Sequence, residues 1–123
     1  MPRKRILVKS IDTSISYQVI GIDLAKHLVS ACLITGAGEI FGIDRLTYDD
    51  LLKSAERMSP TLFCMEPCPE VHYLAEKLQG YGHHTKVIDG AAVKEYIKTH
   101  FGGQKTDLND AQAIAFLSLD TNL

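Results

Sequence analysis

A chain of 123 residues has room for one domain and too little for two ordinary ones. Its composition, 46% apolar and 23% charged with nine Gly and four Pro, is globular and excludes disorder, collagen-like repeats and low-complexity tails. Thirteen Lys and Arg against fifteen Asp and Glu give a net charge of −2, which excludes a uniformly basic nucleic-acid binder but leaves room for a local basic patch.

The chain starts basic, Met1-Pro2-Arg3-Lys4-Arg5, and the apolar run that follows, Ile6 to Val8, is closed by Lys9. That run is far too short for a signal-peptide core or a membrane span, and nothing later approaches such a length. Cys32, Cys64 and Cys68 are an odd number in apolar surroundings, which reads as a reduced, cytoplasmic protein rather than a disulfide scaffold. Residues 1–16 are read as an N-terminal extension and 17–123 as a single domain.

From Tyr17 the pattern sharpens. Tyr17 to Asp23 is a β-rich run ending on a carboxylate, His27 to Ile34 a second, and Glu39 to Leu46 a third, with Gly36-Ala37-Gly38 as a turn. Three short strands with tight connections predict an antiparallel meander. Thr47-Tyr48-Asp49-Asp50 has the form of a capping box, so a helix is expected from about Tyr48 until Pro60 ends that element. Thr61 to Glu66 is a continuous apolar run closing on a carboxylate, as expected of a strand covered on both faces.

Pro67 and Pro69 force a turn, and Val71, Leu74, Ala75 and Leu78 supply the apolar face of a helix stopped by Gly80 to Gly82. Thr85 to Ile88 follows as a strand, Ala91 to Ile97 as a helix, and Thr106 to Leu117 as a last helix beyond the break at Gly102-Gly103. The order β-β-β-α-β-α-β-α-α predicts an α/β fold, a mixed five-stranded sheet flanked by helices, with the first, fourth and fifth strands parallel. Such sheets place ligands at the C-terminal ends of parallel strands. Asp23 and Glu66 each close a strand, and they become neighbours if the first and fourth strands pair.

Four carboxylates are the candidates for chemistry: Asp23, Glu66, Asp107 and Asp110. The first two end apolar strands, where a charge is costly unless something compensates it. The last two are three residues apart at a helix start and so project from one face. Mg²⁺ takes oxygen ligands, usually a few carboxylates with waters and substrate phosphates, and paired ions about 4 Å apart stabilise both oxygens of a phosphoryl transfer. Each acid also has a plainer reading. Asp107 or Asp110 alone fits a helix cap, and Asp23 alone fits a strand-end turn. Glu66 is the hardest to explain that way, because a buried strand runs straight into it.

The segments Gly21-Ile22-Asp23-Leu24-Ala25-Lys26-His27, Met65-Glu66-Pro67-Cys68 and Lys105-Thr106-Asp107-Leu108-Asn109-Asp110-Ala111 resemble the N-terminal domain of the DEDD transposases of insertion-sequence family one hundred and ten. That family includes bridge-RNA-guided recombinases and the pilin-gene invertase. The resemblance runs from about Val19 to Ala115 and takes in His72 to Val93. It implies an RNase H-like (RuvC-like) fold and Mg²⁺-dependent phosphoryl transfer on DNA, with Mn²⁺ as an alternative ion. It carries the family's acidic positions onto Asp23, Glu66, Asp107 and Asp110. It also implies a guide RNA in the full-length context and a homo-oligomer. Pro67 departs from the family pattern, which usually has a small residue after the Glu. The family's serine-bearing C-terminal domain is expected to be lacking from a chain that ends at Leu123.

Lys26 and Lys105 are candidates for contact with nucleic-acid phosphates, Lys105 above all because it adjoins the proposed ligands. Lys94, Lys98 and His100 fit a basic surface or a plain solvated face. Cys64, Cys68 and His72 suggest zinc, but the spacing is unusual and packing is the preferred role. His83-His84 reads as a solvated turn, and Gly21 as a close-packing strand residue rather than a phosphate loop. Two other functions compete with the transposase domain. One is a non-catalytic remnant that keeps the fold as a nucleic-acid-binding module. The other is an actin-like ATPase lobe, suggested by Gly21-Ile22-Asp23-Leu24, for which the chain is too short to supply a second lobe.

Overall fold

The computed structural model describes residues 4–120; the first three residues of the basic start and the domain's far end at 121–123 lie outside them. Six strands and four helices follow one another: β1 (Ile6–Leu7), β2 (Tyr17–Leu24), β3 (Leu28–Thr35), β4 (Ile40–Thr47), α1 (Tyr48–Arg57), β5 (Leu62–Met65), α2 (Val71–Gly80), β6 (His84–Val87), α3 (Gly90–His100) and α4 (Asp107–Ser118). One mixed sheet takes the order β1-β4-β3-β2-β5-β6. The meander β2-β3-β4 is antiparallel, while β5 lies parallel to β2 and β6 parallel to β5. The expected α/β architecture is present, with the expected strand directions.

The sheet has six strands rather than five because the N-terminal segment adds an edge. Ile6 and Leu7 pair in parallel with Phe41 and Gly42 of β4. Both side chains stay more than half exposed, at 52% and 65%, so burial leaves no hydrophobic pattern there to read. The segment is also held by Arg5, whose Nη1 donates to Gln112 Oε1 of α4 at 2.7 Å, and by Ile11, which is buried.

Helices cover both faces of the sheet, and strand alternation decides which side chain meets which layer. Ile20, Ile22, Leu33, Phe63 and Met65 pack with Leu51 and Ala55 of α1 and Leu74 and Leu78 of α2. Val19, Cys32, Ile34 and Cys64 point the other way, onto Val93 and Ile97 of α3 and Ala111 and Ile114 of α4. Cys64 is therefore core, and burial pushes its thiol up to about 11, which keeps it protonated and argues for packing over metal ligation. Among the described residues no helix is long and apolar enough to cross a membrane.

Caps set the helix boundaries. Thr47 Oγ1 accepts from the backbone N–H of Asp50 at 3.0 Å to open α1, as its sequence position predicts. Asp89 opens α3 by accepting from Ala91 N–H at 3.3 Å. His83 departs from the solvated turn expected for it. It is buried, its Nδ1 accepts from Thr61 N–H at 3.0 Å, and its Nε2–H donates to the Ala55 carbonyl at 2.6 Å. It ties α1 to the start of β5 and meets Phe63 edge-on, an apolar setting that two adjacent histidines in sequence do not reveal.

Candidate active site

Register brings the two strand-end acids together. Gly21 pairs with Cys64 and Ile22 with Met65 across the parallel β2–β5 ladder, so Asp23 and Glu66 are the next residues along the two strands. Positions 19, 21 and 23 of β2 share one face, as do 62, 64 and 66 of β5, and that is the face on which α4 lies.

Gly21 sets how closely α4 approaches. A Cβ there would stand 2.3 Å from the Ala111 carbonyl oxygen and 2.6 Å from the Ala115 amide nitrogen. The helix backbone rests directly on the strand, with the small side chains of Ala111 and Ala115 on the same helix. This contact supports the close-packing role expected of Gly21. It also brings the start of α4, with Asp107 and Asp110, over the end of β2.

Neither acid of α4 caps the helix. Thr106 does, its Oγ1 accepting from Asn109 N–H at 3.0 Å. The capping hydrogen bond is therefore made by a neighbour, while both carboxylates stand in the first turn of the helix. Asp107 is exposed, whereas Asp110 is buried, its side chain only 5% exposed. Lys105 donates from Nζ to Asp110 Oδ2. The other oxygen, Oδ1, is buried and has no hydrogen-bond partner. An anionic oxygen in that position costs free energy until a cation or donor reaches it.

The electrostatics centre on Asp110. Burial pushes the Asp23 carboxyl up to about 7, helped by the charge of Asp110 and by a hydrogen bond to Asp107, against a smaller pull from Lys105. Glu66 is raised by burial and then by Asp110, again opposed by Lys105. Lys105 is itself raised, first by its hydrogen bond to Asp110 and further by the charges of Asp23 and Glu66. All four predicted acids thus belong to one neighbourhood. Among the described residues, however, no three His, Cys, Asp or Glu side chains already surround a single point as the ligands of one ion do.

The acids open onto two depressions. Glu66, Asp110 and Lys105 line a groove of about 530 Å³, which Lys94 and Lys98 of α3 also line. Asp23 and Asp107 line a smaller cleft of about 140 Å³ together with Asp44 and Arg45. Lys26 stands in the exposed turn after β2, and among the described residues it forms no ion pair. Asp89 is a residue that sequence reasoning passed over. It follows β6, and its charge adds to the rise of Glu66. Its signal in sequence was weaker than that of Asp23 and Glu66, because the strand before it, His84–Val87, is mostly polar and exposed or half-buried throughout.

The residues present suit a hard divalent cation. The donors are carboxylate oxygens from two strand ends and one helix, and one of them is buried without a partner. The family model described as a transposase, of the DEDD type of IS110 elements, matches residues 20–123. The chain is 29% identical over 98 residues to the transposase for insertion sequence element IS1111A of Coxiella burnetii, covering 80% of this chain and 26% of that protein. It is 27% identical over 95 residues to a putative transposase y4pF/y4sB of Sinorhizobium fredii, covering 77% and 24%. It is 28% identical over 96 residues to the transposase for insertion sequence element IS1328 of Yersinia enterocolitica, covering 78% and 28%. The chain thus spans about a quarter of the length of these relatives. With its mixed sheet, helices on both faces and acids at two adjoining strand ends, the chain belongs to the DEDD transposase family of IS110-type elements.

Proposed function

We propose that this domain carries metal-dependent phosphoryl transfer on DNA for a transposase, with Mg²⁺ or Mn²⁺ held by Asp23, Glu66, Asp107 and Asp110. The observation that carries this reading is the buried, unpartnered Oδ1 of Asp110, a carboxylate whose charge acts on both Asp23 and Glu66. When bound, such an ion supplies Lewis-acid charge to a phosphoryl oxygen. The chain's own residues do the rest. Lys26 and Lys105 meet phosphates of the strand, and the groove beside Glu66 and Asp110 receives it. In the metal-free protein burial and the charge of Asp110 raise the Asp23 carboxyl to about 7, and its hydrogen bond to Asp107 acts in the same direction. DNA is the substrate in this reading. A guide RNA, a homo-oligomeric assembly and a cytoplasmic setting complete it for the whole protein.

The test is the melting temperature of the wild type and of Asp23→Asn, Glu66→Gln, Asp107→Asn and Asp110→Asn, each with and without Mg²⁺ or Mn²⁺. Binding to the folded state alone adds about 2.7 kcal/mol at a hundredfold excess over Kd. A clear upward shift is expected for wild type and a reduced one for every variant. No shift for wild type at millimolar metal sinks the assignment. A second reading, a nucleic-acid-binding module without catalysis, is favoured by the Lys105–Asp110 pair, which partly satisfies the buried acid without a metal. It predicts oligonucleotide binding that is indifferent to metal and to all four substitutions.

A further inference from the structure

Lys105 reaches the acidic cluster from outside. Its side chain is 73% exposed, yet its ammonium bonds to a carboxylate whose side chain is 5% exposed. The backbone that carries it is fixed on both sides. Gln104 N–H donates to the Phe101 carbonyl at 3.0 Å, the Gln104 carbonyl accepts from Asn109 Nδ2 at 2.8 Å, and Thr106 is the cap of α4. The four-carbon stem can therefore swing while the main chain stays in place. The ammonium satisfies one oxygen of Asp110 and leaves the other bare. It also lies close enough to Asp23 and Glu66 to feel both charges. A single positive charge thus sits where several carboxylates compete for one.

We propose that Lys105 is the resident counter-ion of this cluster, neutralising Asp110 in the metal-free protein and giving up that place to a divalent cation, whereupon its ammonium turns into the adjoining groove to bind a nucleic-acid phosphate. This rests on the metal-site reading above. An ammonium and a divalent ion need the same oxygens, and mutual repulsion disfavours their sharing Asp110. The groove offers a destination, since Lys105 already lines it together with Lys94 and Lys98 of α3. Three lysines in one groove then meet a polyanion, and the third is free only once the cation is in. Metal loading and strand binding are coupled by one side chain.

The test is calorimetric titration of Mn²⁺ into the full chain as wild type, Lys105→Met and Lys105→Arg, with melting temperatures in a chelator. Methionine keeps the stem without the charge. It should tighten Mn²⁺ binding by about tenfold, the scale of one charge-assisted hydrogen bond, while lowering the metal-free melting temperature. Arginine should stay near wild type in both measurements. Mn²⁺ binding by wild type and Lys105→Met with equal affinity, or weaker binding by the variant, overturns the exchange and leaves the metal site standing. Absence of Mn²⁺ binding by every form overturns the metal site, and the exchange with it.

Discussion

A carboxyl group keeps its proton when burial and a neighbouring acid both oppose its charge, and Asp23 meets both conditions. Its folded value of about 7 lies above the ordinary value of about 3.9 expected when unfolded. The folded, metal-free protein therefore binds more protons than the unfolded chain between those values. Stability is fully present below about pH 4 and is lost as pH rises through 7. Glu66, raised for the same first reason, adds a contribution of the same sign. Asp23→Asn removes the charge and should flatten this slope, leaving the metal-free variant more stable than wild type at pH 8. Discounted for partial exposure, the gain is about 1–2 kcal/mol. Urea denaturation at pH 5 and pH 8 in a chelator decides it. Parallel slopes for the two proteins would show that Asp23 ionises normally.

Between β2 and α4 the contact is so close that one methyl group decides whether the acids of the helix reach those of the strands. A Cβ at position 21 meets backbone atoms of Ala111 and Ala115, which cannot rotate away. Gly21→Ala should cost about 3 kcal/mol in urea denaturation, and it should shrink the metal-dependent melting shift by moving Asp107 and Asp110 off Asp23. Gly80→Ala is the control. Nothing lies within 4 Å of a Cβ there, so the change should be neutral or stabilising by up to about 1 kcal/mol. Equal losses for the two substitutions would remove the special role of the strand–helix contact. The strands of the meander, the buried β5 and the start of α4 were all legible in sequence, because burial on one or both faces writes a pattern several residues long. The acids at the ends of β2 and β5 were legible for the same reason, as exceptions to that pattern. β1 was not, since two exposed residues carry no period. Nor was the choice of Thr106 over Asp107 and Asp110 as cap, because all three residue types stand in the right place and only backbone geometry separates them. The pairing of Lys105 with Asp110, and the burial of His83, depend on tertiary contacts that spacing does not encode.

Taken as a whole the molecule carries −2, and several of its acids crowd the edge proposed to receive DNA. A polyanion approaching that edge meets like charge, so in a chelator the chain should bind DNA weakly whatever its lysines contribute. One divalent ion in the site raises the net charge from −2 to zero and a second to +2, with the change placed where the phosphates arrive. Metal should therefore strengthen DNA binding by the wild-type chain. Free divalent ions act in the opposite direction on their own, because they screen phosphates and reduce the gain from counterion release. A rise in affinity on adding Mn²⁺ thus has to come from the protein side. Asp110→Asn should lose much of that rise while keeping every lysine, and it should bind slightly better than wild type when no metal is present. Fluorescence anisotropy of a labelled oligonucleotide, read in chelator and in millimolar Mn²⁺ at fixed ionic strength, separates the two effects. Wild type and Asp110→Asn responding equally to Mn²⁺ would place the effect on the DNA and not on the carboxylates.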